Sequence, residues 1–599
     1  MKKQTEEEYT IHTSVDNESA ELVKMACTNC GAPLTVVDKT HAKCPYCGQT
    51  YLIDEAKGIV VNVSVDYGDS VEVQQSVKKT QRLIIGFLIV ALLVTAIIFA
   101  VNMAANSSVF SSSDSDAPIE ENGNLLVIFC KDIFQKEYKD ITPEEFAGIR
   151  YIKYNYQRDD RTKENYHTIE YSFTNYEDCE SEEEFSDTVH TWSYEDSKAS
   201  WPSDFTMLTG LTRLDTTDSL WLSLLSFAED CKISYIATDD SLEVVTSAIN
   251  PEYVKVLDLG TFSNNLKGLE QYENLEVLKA KNASMYNTAD LSGIRKCSKL
   301  KQLELNCATA YEGMEEIAEL PELISLSINA MELSDCGFLK KMPQLEELTI
   351  NPGVGADLSI LSDLPNLKKL DMGNDTLDSI EPLLELTRLE DLTISVDTLE
   401  NITKLAELKQ LKALRLHTSY WEVDEGYHDV PLDISVFSQL LELETLYVSS
   451  FYNGGVSGAE SVLNMPGLKS FGVSASLGDF HINPELLTEN PSLETFCLEE
   501  ATVCDTVTGE EGNFDFLFCY PNLEELWIQD CDLETVDFIA QLKNLERCHL
   551  EQNDITDYSP LQACKKLEYL CVGLDNSEER PDVAAEVKVD WGLHNFGRE

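Results

Sequence analysis

The sequence predicts an α/β-type solenoid, a curved parallel β-sheet with 3₁₀ or irregular returns, preceded by a small cysteine-rich module and one transmembrane helix. Three observations predict it. The pattern L-x-x-L-x-L recurs every 22 residues, led by Leu345, Leu367, Leu389 and Leu411. Two C-x-x-C-G motifs stand near the start, Cys27-Thr-Asn-Cys30-Gly and Cys44-Pro-Tyr-Cys47-Gly. Between them and the repeats, Leu83–Val101 runs nineteen residues without a charge.

Taken in order, residues 1–24 form a polar tail with an acidic run at Glu6, Glu7 and Glu8. In 25–55, thirteen residues separate the two cysteine pairs, including a β-type stretch at Leu34, Val36 and Val37. That spacing can bring Cys27, Cys30, Cys44 and Cys47 into the thiolate tetrahedron a structural Zn²⁺ requires. A redox dithiol would need one C-x-x-C opening a helix in a thioredoxin-like βαβ pattern, which is absent here. CTNCGAPL and CPYCGQTYLI resemble the zinc ribbons of many bacterial proteins, and His41 then reads as a hairpin residue. A closed four-cysteine site leaves no open position for catalysis. Only Lys24, Lys39 and Lys43 lie nearby, so the ribbon suits structural use or protein docking better than nucleic-acid binding.

Residues 56–82 are a juxtamembrane segment in which Ile59, Val61, Val63 and Val65 alternate as in a strand. The apolar stretch at 83–105 is long enough to span a bilayer as a helix. It starts too late to be a cleaved leader. Lys78, Lys79 and Arg82 precede it and no basic residue follows until Lys131. The positive-inside rule then places the N-terminus in the cytoplasm and the repeats outside, on a single-pass plasma-membrane protein. Residues 106–124 are rich in Ser, Asp and Asn and read as a flexible linker.

Residues 125–210 read as an N-terminal cap that covers the open end of the solenoid. Thr142-Pro-Glu-Glu is a helix start, with a Thr cap, Pro first and Glu third. Strands follow around Ile149–Tyr154 and Thr168–Phe173, and the acidic run Glu177–Glu184 reads as a loop.

The repeats occupy 211–575. Their leading positions are Leu211, Ile233, Val254, Leu275, Leu300, Leu323, Leu345, Leu367, Leu389, Leu411, Leu443, Leu468, Leu493, Leu523, Leu545 and Leu567. Two spacings are long, 32 after Leu411 and 30 after Leu493. This period and pattern define a leucine-rich repeat, in which no unit can bury its apolar face alone and stacking makes one core. Asn553-Asp-Ile-Thr-Asp-Tyr-Ser-Pro-Leu561 resembles internalin-type bacterial repeats, and Ile380-Glu-Pro-Leu383 is a shorter echo. The resemblance implies an inward asparagine ladder, met at Asn553, with Asp375 and Asp397 in equivalent places. Cys531 takes the inward Asn/Cys position of its own repeat. Residues 576–599 read as a C-terminal tail.

Strand alternation sends every second side chain to the concave face. The candidate ligand-binding residues there are Arg415, His417, Tyr447, Trp527, His549 and Tyr569, with Tyr447, Trp527 and Tyr569 expected as exposed anchors. Two insertions, His417–Pro431 with Tyr420, Trp421, Tyr427 and His428, and Thr502–Asn513, are expected as functional loops.

Residues 1–82 hold 9 of the 45 basic and 12 of the 106 acidic residues, so the remainder carries a net charge of −58. Such a field repels nucleic acid, and none is expected to bind the large domain. Seventeen cysteines with no regular pairing argue against a disulfide framework. No G-x-S-x-G, H-E-x-x-H or G-x-x-x-x-G-K-[ST] motif occurs, and the chain is not expected to be an enzyme. The expected function is membrane-anchored capture of a protein, peptide or glycan on the concave face. The alternative is a receptor signalling through the ribbon to a cytoplasmic partner.

Overall fold

The computed structural model describes four N-terminal strands and residues 124–596. Excepted are 159–164, 180, 196–202, 218–219, 261–265, 282–287, 307–309, 330–335, 352–357, 378, 397, 419–430, 451–454, 477, 574–580, 593 and 595. The chain divides into two bodies, 1–119 and 120–599. In the first, β1 (Thr35–Val36), β2 (His41–Lys43), β3 (Thr50–Asp54) and β4 (Ile59–Asn62) form an antiparallel sheet. Lys43 pairs with Thr35 on one side and Thr50 on the other. Cys27, Cys30, Cys44 and Cys47, and the expected membrane helix at 83–105, lie outside the described residues. Among the described residues no helix is long and apolar enough to cross a membrane.

The second body opens with the helix Leu125–Phe134, capped by the Asn124 side chain, which accepts from the Leu126 amide. Leu125, Leu126, Phe129 and Cys130 of this helix are buried. Thr142 and Glu145 form a reciprocal capping box on the short helix Pro143–Phe146. Next, β5 (Tyr151–Arg158), β6 (Asn165–Ser172) and β7 (His190–Glu195) make an antiparallel meander. The acidic run differs from the expected loop. Ser181 accepts from the Glu184 amide and starts the helix Glu182–Ser186, which buries Phe185. Three acidic residues in a first turn also suit the helix dipole.

The other edge of β5 pairs in parallel with the strand Arg213–Asp215. The cap therefore continues the sheet, and its apolar residues join the same core. From Arg213 the strands stack in parallel, one per repeat, as a leucine-rich repeat solenoid. Each of the sixteen predicted leading residues stands two positions before a strand, from Leu211 before Arg213 to Leu567 before Tyr569. All sixteen are at most 5% exposed. The ladder does not end there. Lys588–Asp590, in the segment expected as a tail, adds one more parallel strand, with Tyr569 opposite Lys588. The strand pairs thus form an open ladder running from β7 to Lys588–Asp590.

Most returns are 3₁₀ turns, such as Gly337–Lys341, Glu381–Glu385 and Asp537–Gln541. Others hold short α-helices, such as Leu399–Lys404. Around the two long spacings the returns differ from expectation. Leu432–Asp433, Val456–Ser457, Asp479–Ile482 and Thr502–Asp505 form a second parallel ladder. Phe471, Phe480, Phe496 and Phe516 pack together there, with ring centroids 5.7–6.3 Å apart. The insertion at 502–513 is therefore a strand and a hairpin, closed by a bridge between Cys504 and Glu511, not a free loop. Tyr420, Trp421, Tyr427 and His428 of the other insertion lie outside the described residues.

Two side-chain patterns tie each repeat to the one before. The amide side chain preceding the leading leucine donates to a carbonyl of the previous repeat. Gln344 reaches Leu320 O, Asn366 reaches Pro343 O and Asn544 reaches Pro521 O, at 2.8–3.2 Å. One residue after the leucine, Lys301, Lys368, Lys412 and Lys469 pair with Glu276, Glu346, Glu390 and Glu444 at 2.6–2.7 Å. Inside, Asn553 accepts from the amides of Cys531 and Leu533 and donates to the carbonyls of Ile528, Leu550 and Glu551. Asp397 lies outside the described residues, as does the Asp375 side chain.

Candidate functional site

The sheet face turned away from the returns divides into three stretches. At its N-terminal end the first strand places Arg213 on this face. Its guanidinium makes a two-pronged bond to Glu182, at 2.8 and 3.1 Å, and lies 4.0 Å from the Tyr235 ring centre and 4.6 Å from that of Phe185. Glu182 and Phe185 come from the capping helix, so the cap closes this end and Arg213 is only 8% exposed.

The middle stretch is open and polar. Parallel register puts Gln302, Ser325, Glu347, Lys369 and Asp391 in one row. Two residues on lie Glu304, Ser327, Thr349 and Asp371. Asn306 and Asn329 are opposite each other, and Asn351 donates to Asn329 at 3.3 Å. No aromatic side chain stands in these rows.

The C-terminal stretch contains the residues predicted as ligand anchors. One row runs through Arg415, Tyr447, Gly472, Cys497, Trp527, His549, Cys571 and Asp590. The expected alternation is met, but the expected exposure is not. Trp527, His549 and Tyr569 are 3%, 0% and 8% exposed. Their cover is the chain's own C-terminal segment. The Phe596 ring meets Trp527 edge-on at 5.5 Å and Tyr447 at 5.6 Å. Gln529 donates to the His594 carbonyl at 3.0 Å, and the Phe596 amide donates to Glu499 at 3.3 Å.

Gly472 makes room for this segment. A Cβ there would stand 2.6 Å from the Tyr447 ring and 3.0 Å from that of Phe596. Tyr447 donates its hydroxyl to Glu499 at 2.7 Å. Burial pushes the Glu499 carboxyl above its ordinary value, against the lowering effect of the Tyr447 and Phe596 bonds. Burial and the adjoining Glu499 push the Tyr447 hydroxyl far up, so it stays a donor. Arg415 and His417 lie at the margin of the cover. Arg415 bonds Asp391 at 2.9 Å, and His417 packs edge-on to Tyr447 at 6.2 Å.

Sequence reasoning passed over Glu499, Glu551, Cys571, Asp590, His594 and Phe596. The available signal was the alternation Val587-Lys588-Val589-Asp590, which repeats the strand pattern once more beyond Leu567.

No protein-family profile matches the chain, and no curated protein is similar to it. Solved structures are. An internalin, InlF of Listeria monocytogenes, is 18% identical over 54% of this chain and 89% of its own, with a TM-score of 0.37. A leucine-rich repeat protein of Leptospira interrogans is 19% identical over 61% and 91%, with a TM-score of 0.40. The functional domain of Listeria monocytogenes InlJ is 16% identical over 63% and 70%, with a TM-score of 0.31. With every TM-score below 0.5, the fold of this chain rests on its own strand ladder and repeat pattern, which are those of a leucine-rich repeat solenoid.

Proposed function

We propose that this chain is a single-pass membrane protein that presents its leucine-rich repeat solenoid outside the cell to capture a protein or peptide. The cysteine knuckles at Cys27, Cys30, Cys44 and Cys47 form a cytoplasmic structural zinc ribbon in this reading, and the apolar stretch at 83–105 is the anchor. The observation that supports it best is the open middle stretch of the sheet face, from Gln302 to Asp391, between two ends that the chain covers itself. Its mixed-sign, amide-rich rows suit polar recognition of an extended partner, with Asn306, Asn329 and Asn351 offering both donors and acceptors. A strongly acidic surface favours a cationic partner.

The test combines topology with site mapping. Protease treatment of intact cells should remove a C-terminal tag and spare an N-terminal one. A photo-crosslinking residue at Asn329 or Glu347 should then capture a partner, whereas one at Trp527 should not. Survival of both tags would refute the topology, and capture only from Trp527 would refute the site.

A further inference from the structure

The covered end of the sheet face holds a cluster that partner binding leaves unused. Parallel register sets His549 opposite Cys571 and Cys571 opposite Asp590, on three adjacent strands. Neighbouring strands lie about 4.8 Å apart, so side chains of one row can converge on a single ion. Glu551 follows His549 by two residues. The ligand atoms of His549, Glu551 and Cys571 lie within 4.8 Å of one another, and so do those of Cys571, Asp590 and His594. Cys571 belongs to both groups.

Burial sets this cluster apart from an ordinary surface group. His549, Glu551 and Cys571 are each 0% exposed. Neither ring nitrogen of His549 and neither carboxylate oxygen of Glu551 has a hydrogen-bond partner. Their nearest approach to each other is 3.5 Å, beyond hydrogen-bond range. Polar atoms buried without partners are costly unless something compensates them. A divalent cation among these three side chains would meet an imidazole nitrogen, a carboxylate oxygen and a sulfur. The charges of the carboxylate and a thiolate would cancel its own.

We infer that His549, Glu551 and Cys571 bind a transition-metal ion of the Zn²⁺ class beneath the C-terminal segment that covers them. Sulfur and imidazole donors select Zn²⁺ over the hard, oxygen-seeking Mg²⁺ and Ca²⁺. The outer groups are in place. Trp527 stacks on the His549 ring at 3.4 Å and 5°, fixing its plane. Such partners orient ligands and tune affinity. The Cys571 thiol donates to the Gly592 carbonyl at 3.3 Å. Binding sends the thiol proton to solvent.

The test is Co²⁺ titration of the metal-stripped full chain beside its C571S and E551Q variants, followed by the thiolate-to-cobalt absorption band. The N-terminal cysteines contribute equally to all three proteins, so the differences report this site alone. C571S should take up one equivalent less than the parent, and E551Q should bind that equivalent at least tenfold more weakly. Equal uptake and equal affinity in all three would overturn the assignment. If C571S fails to fold by circular dichroism, parent and E551Q decide, since glutamine keeps the shape of the buried Glu551 side chain. Equal affinity in those two would overturn it as well.

Discussion

Trp527→Ala separates a buried pin from a surface anchor. Were Trp527 an exposed ligand contact, its removal would change stability by no more than about 0.5 kcal/mol. At 3% exposure, with His549 stacked on one face and Phe596 edge-on, it is instead a core residue. Truncating a buried tryptophan costs about 3–5 kcal/mol. One term offsets this: the indole Nε1 is buried without a hydrogen-bond partner. Removing an unpaired donor returns about 1 kcal/mol. The net loss is then roughly 2–4 kcal/mol. Trp527→Phe keeps a ring against His549 and removes the orphaned donor, so it should cost less than about 1.5 kcal/mol. The assay is urea unfolding of residues 120–599, which form a body of their own, followed by circular dichroism. A Trp527→Ala loss below 1 kcal/mol, or a Phe variant as damaged as the Ala variant, would refute the covered-face geometry.

Three further outcomes follow from the same region. Gly472→Ala forces a methyl against the Tyr447 and Phe596 rings; it should cost about 1–3 kcal/mol and speed proteolytic loss of a C-terminal tag. An unchanged cleavage rate would count against the Phe596 seat. Asn553→Ala leaves the Cys531 and Leu533 amides without this acceptor and takes a donor from three carbonyls, of which Glu551 keeps the Asp530 amide; a loss of about 2–4 kcal/mol is expected in urea unfolding, and one under 1 would contradict the ladder. For Glu499, burial raises the folded-state value above the ordinary 4.5, so the folded chain holds its proton longer. Its contribution is complete below pH 4.5 and is lost as pH rises through the folded-state value. Glu499→Gln should abolish that decline, and parallel pH–stability curves for the two proteins would exclude it.

The sheet was legible because its determinants are local. A leading apolar residue every 21 to 25 positions, with two partners at +3 and +5, suffices to place a strand, and tertiary packing overrides nothing when each repeat meets only its neighbours. The cap was legible at its helix start, where Thr142 and Glu145 carry the box within four residues. It was misread at Glu177–Glu184, because a charged run reveals nothing of Phe185 and its pocket. The covered face was illegible for a different reason. Alternation decides which way a side chain points, as it did for Trp527 and His549. It cannot decide what another segment lays over it. That cover depends on contacts between residues nearly a hundred positions apart, such as Glu499 with Phe596.

The amide staples give the solenoid a mechanical character. Gln344, Asn366 and Asn544 each donate to the repeat before their own, and the Lys–Glu pairs alongside join the same neighbours. Strands lie across the stacking direction, so tension between the two ends opens the ladder bond by bond rather than shearing a whole sheet at once. Repeats loaded in this way are links in series, and the weakest link yields first while the others hold their shape. The stretch doubled by the second ladder, from Leu432 to Asp505, is a reinforced part of that chain. Under load, the single-ladder repeats between Gln302 and Asp391, which form the open face, would lengthen before it.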